Sequence, residues 1–240
     1  MITIMHLFPN KMNLYGEYAN IAVLRRRLTE AGEQVCVRPI PFGEELNLTE
    51  CDFLYIGGGV DSAMLDVLRE LRKNTGMIES FVRFGGVVLA TGNAAALFGS
   101  SIVIYGEQTQ GLGIADYTAT LNHLRRYAEY IMSTELVEAA VLGSINTSLE
   151  ITESSQPMFR IISTNDKDKS RSAEGFMTDG IYATSLIGPL LVRNPVLLDW
   201  FAQKLCKREL AQSDSPWMGY ARRGYEQLLT TLQHSLGEKG

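Results

Sequence analysis

Over its first hundred residues the chain alternates short apolar runs with stretches whose apolar positions recur at helical spacing. Residues 2–8, 35–40, 52–56 and 87–90 are continuous enough for strands buried on both faces of a sheet. Between the first two, Ile21, Val23, Leu24 and Leu28 share one side of a helix over 20–31, with Arg25, Arg26 and Arg27 turned mostly to solvent. Gly32 follows as a C-terminal cap. Residues 63–71 and 77–84 read as two further helices. This alternation predicts an α/β fold built on a doubly wound, mostly parallel sheet. In such sheets the working groups sit beyond the carboxyl ends of the strands, here in loops 12–18, 57–61 and 91–94.

The second half has a different rhythm. Residues 127–132, 137–142, 158–162 and 180–186 read as short strands joined by polar turns, which predicts an antiparallel extension. Residues 164–173 (TNDKDKSRSA) read as a charged, mobile loop or hairpin tip. Residues 195–206 form an amphipathic helix with Pro195 in its first turn. Residues 215–236 carry Trp217, Tyr220, Ala221, Leu228, Leu229 and Leu232 at helix-compatible spacing, and 237–240 should fray. The division expected is a main domain over 1–206 and a helical extension over 207–240 packed on it.

Composition narrows the function classes. The 240 residues are 45% hydrophobic and 20% charged, with net charge −5. That suits a globular protein with a sizeable core and gives no reason to propose nucleic acid as a partner. No apolar run approaches the roughly 18 residues of a membrane span, and residues 1–8 are too short for a signal peptide. Three scattered cysteines, Cys36, Cys51 and Cys206, point to free thiols and a reducing, cytoplasmic setting. Three scattered histidines, His6, His123 and His234, do not make a metal constellation, and neither a metal nor a cofactor is expected.

The segment 85–99, GGVVLATGNAAALFG, is a buried strand followed by a tight run of small residues and the start of a helix. That is the geometry of a nucleophile elbow, which lifts one side chain above the edge of a sheet. The tip here is Gly92, which has no side chain to lift.

Five segments in order, LYGEYANIAVLRRRL from Leu14, CDFLYIGGGVDSA, GVVLATGNAAALFG, GLGIADYTAT and LIGPLLVRNPVLLDW, resemble the class I glutamine amidotransferases of the cobyric acid synthase type, whose fold is flavodoxin-like. Within that group they are similar to the glutaminase subunits of bacterial lipid II isoglutaminyl synthases. The likeness runs from about residue 4 to 201. It implies hydrolysis of glutamine to glutamate and ammonia, and a Mur-ligase-like partner that uses the ammonia in amidating a peptidoglycan precursor. It also implies a cysteine nucleophile, a histidine base, an acid to orient it and backbone N–H groups for the oxyanion.

Residue by residue, the resemblance puts the cysteine position at Gly92 and the two glycines after it at Asn93 and Ala94. The next two positions fall on Ala95 and Ala96. The histidine position is Ile187, within SLIGPLL. The acid position is Glu17, a conservative replacement. The oxyanion-loop glycines are kept as Gly57, Gly58 and Gly59. A glutamine-binding arginine corresponds to Arg125, while a neighbouring family acid falls on Thr120, and the stretch around Glu150 departs from the pattern.

Each position carries two readings. Glycine at 92 relieves a strained turn, or a neighbouring hydroxyl such as Thr91, Ser100 or Ser101 has taken over as nucleophile. Thr91 stands one residue early, so its side chain should turn away. Glu17 faces the pocket, or is a solvated loop acid or a charge at a helix N-terminus. The three glycines make an anion-binding nest or a plain tight turn. Arg125 and Arg126 are surface residues or ligand contacts, His123 is a loop histidine, and Cys51 is a buried thiol. The function expected is a catalytically degenerate amidotransferase-like subunit acting through a partner. The alternatives are a binding module for a small carboxylate and a re-purposed enzyme using the old pocket.

Overall fold

The computed structural model describes residues 1–104, 106–168, 170–178 and 180–237. The chain opens with β1 (Ile2–Leu7), then α1 (Ala19–Glu30), β2 (Val35–Ile40) and β3 (Phe53–Ile56). α2 (Met64–Arg72) and α3 (Thr75–Arg83) lead into β4 (Val87–Thr91). Then come β5 (Ser101–Ile104), β6 (Glu107–Gln110), β7 (Thr118–Ser133), β8 (Val141–Ile151), β9 (Phe159–Thr164), β10 (Ala173–Glu174), β11 (Phe176–Met177) and β12 (Ile181–Thr184). The chain closes with α4 (Leu190–Arg193), α5 (Pro195–Cys206) and α6 (Pro216–Gly237).

The first sheet has the order β11-β12-β4-β3-β1-β2. Its pairings are parallel except β11 on β12. Every residue of β1, β3, β4 and β12 is buried, as continuous apolar runs require in a sheet covered on both sides. The period of two divides these strands between two cores. Ile4, Phe53, Tyr55 and Leu89 pack with Ile21, Leu24 and Leu28 of α1 and with Leu197, Leu198 and Phe201 of α5. Met5, Leu54, Ile56 and Val88 pack with Met64, Val67, Leu68 and Leu71 of α2 and with Ile78 of α3.

The antiparallel part takes two forms. β11 extends the first sheet, and a second six-stranded sheet runs β10-β9-β7-β5-β6 with β8 also paired to β7, antiparallel throughout except β5 on β7, which is parallel. Residues 118–126 and 143–151, outside the expected strands, belong to β7 and β8. Of the expected strand 137–142, only Val141 and Leu142 lie in β8. His123, expected in a loop, lies within β7 where its pairing with β8 shifts register. The charged segment 164–173 is tied down, because Asp166 is 1% exposed and accepts a hydrogen bond from Tyr130 Oη at 2.5 Å. Lys169 in that segment lies outside the described residues, as do residues 238–240, which were expected to fray.

The Arg25–Arg27 run is not uniformly outward. Arg27 is 3% exposed and its Nε lies 2.5 Å from Asp199 Oδ1, while Nη2 donates to the Ala211 carbonyl at 2.8 Å. A buried guanidinium needs such partners, and α5 and the segment leading to α6 supply them. α6 lies against β7 and β8, where Leu232 and Leu236 cover Ile131 and Leu142. Tyr225 Oη donates to the Ala140 carbonyl at 2.7 Å. No helix among the described residues is long and apolar enough to cross a membrane.

Candidate functional site

The carboxyl ends of β3 and β4 place two turns side by side. β3 runs into Gly57, Gly58 and Gly59. β4 runs into a 3-10 turn over Gly92–Phe98, where a helix was expected to begin at Ala95. Gly92 has φ +63°, a conformation glycine adopts without a Cβ penalty. A Cβ built there would stand 3.0 Å from Gly58 Cα and 3.4 Å from Ile187 Cγ2. Ile187 arrives on the strap between β12 and α4, pinned by the Gly92 N–H donating to Leu186 O at 3.0 Å and by its own N–H donating to Ser144 O at 2.9 Å. The tip position, the glycine turn and Ile187 are therefore direct neighbours.

Asn93 fills the gap between the turns. Its Oδ1 accepts from Gly59 N–H at 2.8 Å, and its Nδ2 donates to Gly59 O at 2.8 Å and to Asp61 Oδ1 at 3.0 Å. Asn93 was expected to contact a ligand, yet its carboxamide is used inside the protein. The same bonds bear on the glycine nest, because the Gly59 donor is occupied and a carboxylate stands beside it. Gly58 O accepts from Leu14 N. The cavity left between Gly58, Gly59, Asn93, Ile187, Tyr15 and Arg125 is about 10 Å³, room for roughly one water.

Glu17 lies behind this wall and is fully buried, which removes the reading of a solvated loop acid. Its Oε2 accepts from the Thr91 hydroxyl and from Tyr55 Oη, the latter at 2.9 Å. Its Oε1 accepts from Gly188 N–H at 3.1 Å. Asn20 Nδ2 donates to Tyr55 Oη at 2.9 Å, and Asn20 Oδ1 accepts from Leu191 N–H. Burial raises the Glu17 pKa above the ordinary carboxyl range, and the bonds from Thr91, Tyr55 and Gly188 offset part of that rise. The carboxylate thus ties α1, β3, β4 and the strap carrying Ile187 into one unit.

The hydroxyls and the thiol weighed as replacement nucleophiles do not reach the cavity, whose own hydroxyls are those of Tyr15, Thr147 and Ser185. Thr91 turns into the Glu17 cluster and is fully buried. Ser100 Oγ bonds to Tyr117 O at 3.0 Å, and Ser101 sits within β5. Cys51 precedes β3, at the end of that strand opposite the glycine turn, and burial lifts its thiol to about 12. Thr120 and Glu150 are paired across β7 and β8, and Asn122 Nδ2 holds Glu150 Oε2 at 2.8 Å. Arg125 does reach the cavity mouth. Its Nε and Nη2 donate to Asn146 Oδ1 and O at 2.6 and 3.0 Å, and Nη2 donates to Tyr15 Oη at 2.8 Å. Among the described residues, no group of three or more His, Cys, Asp or Glu is placed to hold a metal.

Tyr55, Asn20 and Asp61 complete the site; they lie within the matching segments, but the resemblance gave them no role. A tyrosine in a strand buried on both faces does imply a partner for its hydroxyl, which is the one signal that could have pointed to the Glu17 cluster.

A family model for the CobB/CobQ-like glutamine amidotransferase domain matches residues 3–195. The chain is similar to the lipid II isoglutaminyl synthase (glutamine-hydrolyzing) subunit GatD of Staphylococcus aureus (strain N315), 26% identical over 212 residues, covering 87% of this chain and 86% of that protein. GatD of Streptococcus pneumoniae (strain ATCC BAA-255 / R6) is 24% identical over 215 residues, covering 88% and 83%. Among solved structures, PurLQS from Thermotoga maritima superposes with TM-score 0.55 at 10% identity, over 95% of this chain and 99% of the matched one. A glutamine amidotransferase structure superposes with TM-score 0.54 at 15% identity, over 84% and 98%. These two likenesses speak for the fold alone. With the model spanning both glycine turns and the strap, the chain belongs to the CobB/CobQ-like glutamine amidotransferase family.

Proposed function

We propose that this chain is a non-hydrolysing amidotransferase-fold subunit that acts by binding a partner, a Mur-ligase-like protein of cell-wall precursor amidation. The observation that carries the reading is the closed cavity. Where the resemblance calls for a cysteine and a histidine stand Gly92 and Ile187, in contact range of each other, and about 10 Å³ remains between them and the glycine turn. Glutamine hydrolysis by this family's route needs a thiolate, a proton carrier and a free oxyanion donor. Isoleucine moves no proton, glycine attacks nothing, and Asn93 engages the Gly59 N–H. That both GatD relatives are named as subunits favours a role within an assembly.

The same closure speaks against a small-carboxylate module in this pocket. The positions of Thr91, Ser100 and Cys51 speak against a re-purposed nucleophile. The test is release of glutamate from glutamine by the purified chain, alone and with the Mur-ligase-like protein encoded alongside it. The expected result is a stable complex with no glutamate above background. Release that disappears on Glu17→Gln or Asn93→Ala overturns the reading.

A further inference from the structure

We infer that Tyr15 is a lid over the mouth of the cleft, latched by Arg125 and hinged at Gly16. The inference concerns access to the cleft and goes beyond the proposed role, because the wall behind the lid stays shut.

The sequence puts a tyrosine where the backbone favours glycine. Tyr15 has φ +58° and ψ +21°, and Gly16 follows at φ +73°. In Tyr15 this left-handed conformation costs free energy, because its Cβ crowds a carbonyl oxygen. Packing does not hold it there, since Tyr15 is 45% exposed. The holding contact is Arg125 Nη2, which donates to Tyr15 Oη at 2.8 Å across 110 positions of the chain. Among the described residues it is the one hydrogen bond of the Tyr15 side chain.

Both ends of the turn are fixed, so the freedom is local. Before the tip, Leu14 N–H donates to Gly58 O at 2.8 Å. After it, Tyr18 N–H donates to Asn13 Oδ1 at 2.9 Å, and the Glu17 carboxylate is held by Thr91, Tyr55 and Gly188. A Cβ built on Gly16 would meet nothing within 4 Å, so the backbone has room to turn there. The latch is anchored separately. Arg125 stands in the bulge of β7, and its Nε and Nη2 donate to Asn146 Oδ1 and O at 2.6 and 3.0 Å.

Tyr15 and Arg125 are the two exposed residues of the cavity lining, while Gly58 and Gly59 are buried. The volume of about 10 Å³ is thus that of the latched state. A strained backbone set against one exposed hydrogen bond leaves little net free energy for closure, which is the balance a lid needs. With Tyr15 swung out, the cleft gains the space of its ring, and Ser185 and Thr147 are uncovered. Asn93 still engages the Gly59 N–H and Ile187 still stands beside Gly92, so opening restores no glutaminase chemistry.

The test is hydrogen exchange of the full chain, read by mass spectrometry over 57–61, whose Gly58, Gly59 and Asp61 line the cleft. Tyr15→Phe removes the latched hydroxyl and keeps the ring. Arg125→Met removes the donor and keeps the stem. Tyr18→Phe, at an exposed tyrosine on the same loop, is the control. Each latch variant should speed exchange over 57–61 about fivefold, the worth of one hydrogen bond, with the control at the wild-type rate. The double variant should exchange no faster than the faster single, because both changes cut the same bond. Wild-type exchange over 57–61 in Tyr15→Phe overturns the lid, since Asn93 and Ile187 then close the cleft by themselves. Effects that add in the double variant overturn the latch. Faster exchange spread over every segment makes Tyr15 a general brace and overturns the inference as well. All three outcomes leave the proposed function standing, because glutamate release and complex formation test it separately.

Discussion

Asn93 is where one side chain decides most about the site. Its carboxamide meets an N–H, a carbonyl and a carboxylate, so nearly all its hydrogen-bonding capacity is spent between Gly59 and Asp61. Asn93→Ala leaves the Gly59 N–H and carbonyl without protein partners. The expected cost is about 1–3 kcal/mol of stability, read by denaturant unfolding; an unchanged midpoint would show that water replaces the amide without loss. Glu17 gives a second test, with a sign. The fold raises its pKa, so the protonated form is favoured in the folded state. Its contribution is complete below the unfolded carboxyl value and is lost as pH rises through the raised folded value. Glu17→Gln should therefore flatten the fall in melting temperature between acidic and neutral pH, and parallel curves for the two proteins would refute the assignment. His6 acts in the opposite direction. It is buried against Tyr55 with Nε2 unpartnered, and burial lowers its pKa to about 4. Its contribution is present above pH 6.5 and is lost as pH falls towards 4, an effect of about 3 kcal/mol. His6→Phe should flatten the acid limb of the stability curve.

The elements show which physics can be read along a chain. The first four strands and their helices are local: an apolar run buried on both faces, or an apolar stripe at helical spacing, carries its own signature. Gly32 at φ +88° after α1 and Pro195 at the start of α5 are equally local. β8 is different, because its polar residues, Ser144, Asn146, Thr147 and Ser148, suit a strand only once β7 lies beside them. Arg27 makes the same point. Its place in an RRR run predicts solvent, and only the arrival of Asp199, 172 positions later, turns it inward. Because Asp199 is itself largely buried, Arg27→Ala removes its nearer cation, leaves it only Arg222 at 4.0 Å, and takes away the polar tie between α1 and α5. A loss of about 3 kcal/mol is expected in urea unfolding. Arg26→Ala one residue earlier, whose partner lies 3.9 Å away on the surface, should cost under about 1 kcal/mol.

For the molecule as a whole, the site was legible as positions and illegible as geometry. Gly92, Ile187, Glu17 and the three glycines, positions that came from the resemblance, lie close together in the structure. The sequence could not say that Glu17 would be sealed behind Tyr55 and Thr91, or that Asn93 would turn inward, because both depend on elements brought together by the sheet. This bears on whether the family chemistry can be restored by Gly92→Cys with Ile187→His. A side chain at 92 must fit where a Cβ already stands 3.0 Å from Gly58 Cα, closer than most such contacts, so the glycine turn has to give. The turn is also held from its other side by Asn93, and the space beside it is about 10 Å³, far below the roughly 300 Å³ of ordinary ligand pockets. Thiol and imidazole alone would meet no glutamine and no free Gly59 donor. The double variant is expected to fold, with a lower melting temperature, and to release no glutamate above background in a coupled assay. Adding Asn93→Gly frees the Gly59 N–H and widens the cleft, so any recovered activity should appear first in the triple variant. Robust glutaminase from the double variant would mean that the closed cavity opens readily in solution and that Asn93 is not what holds it shut.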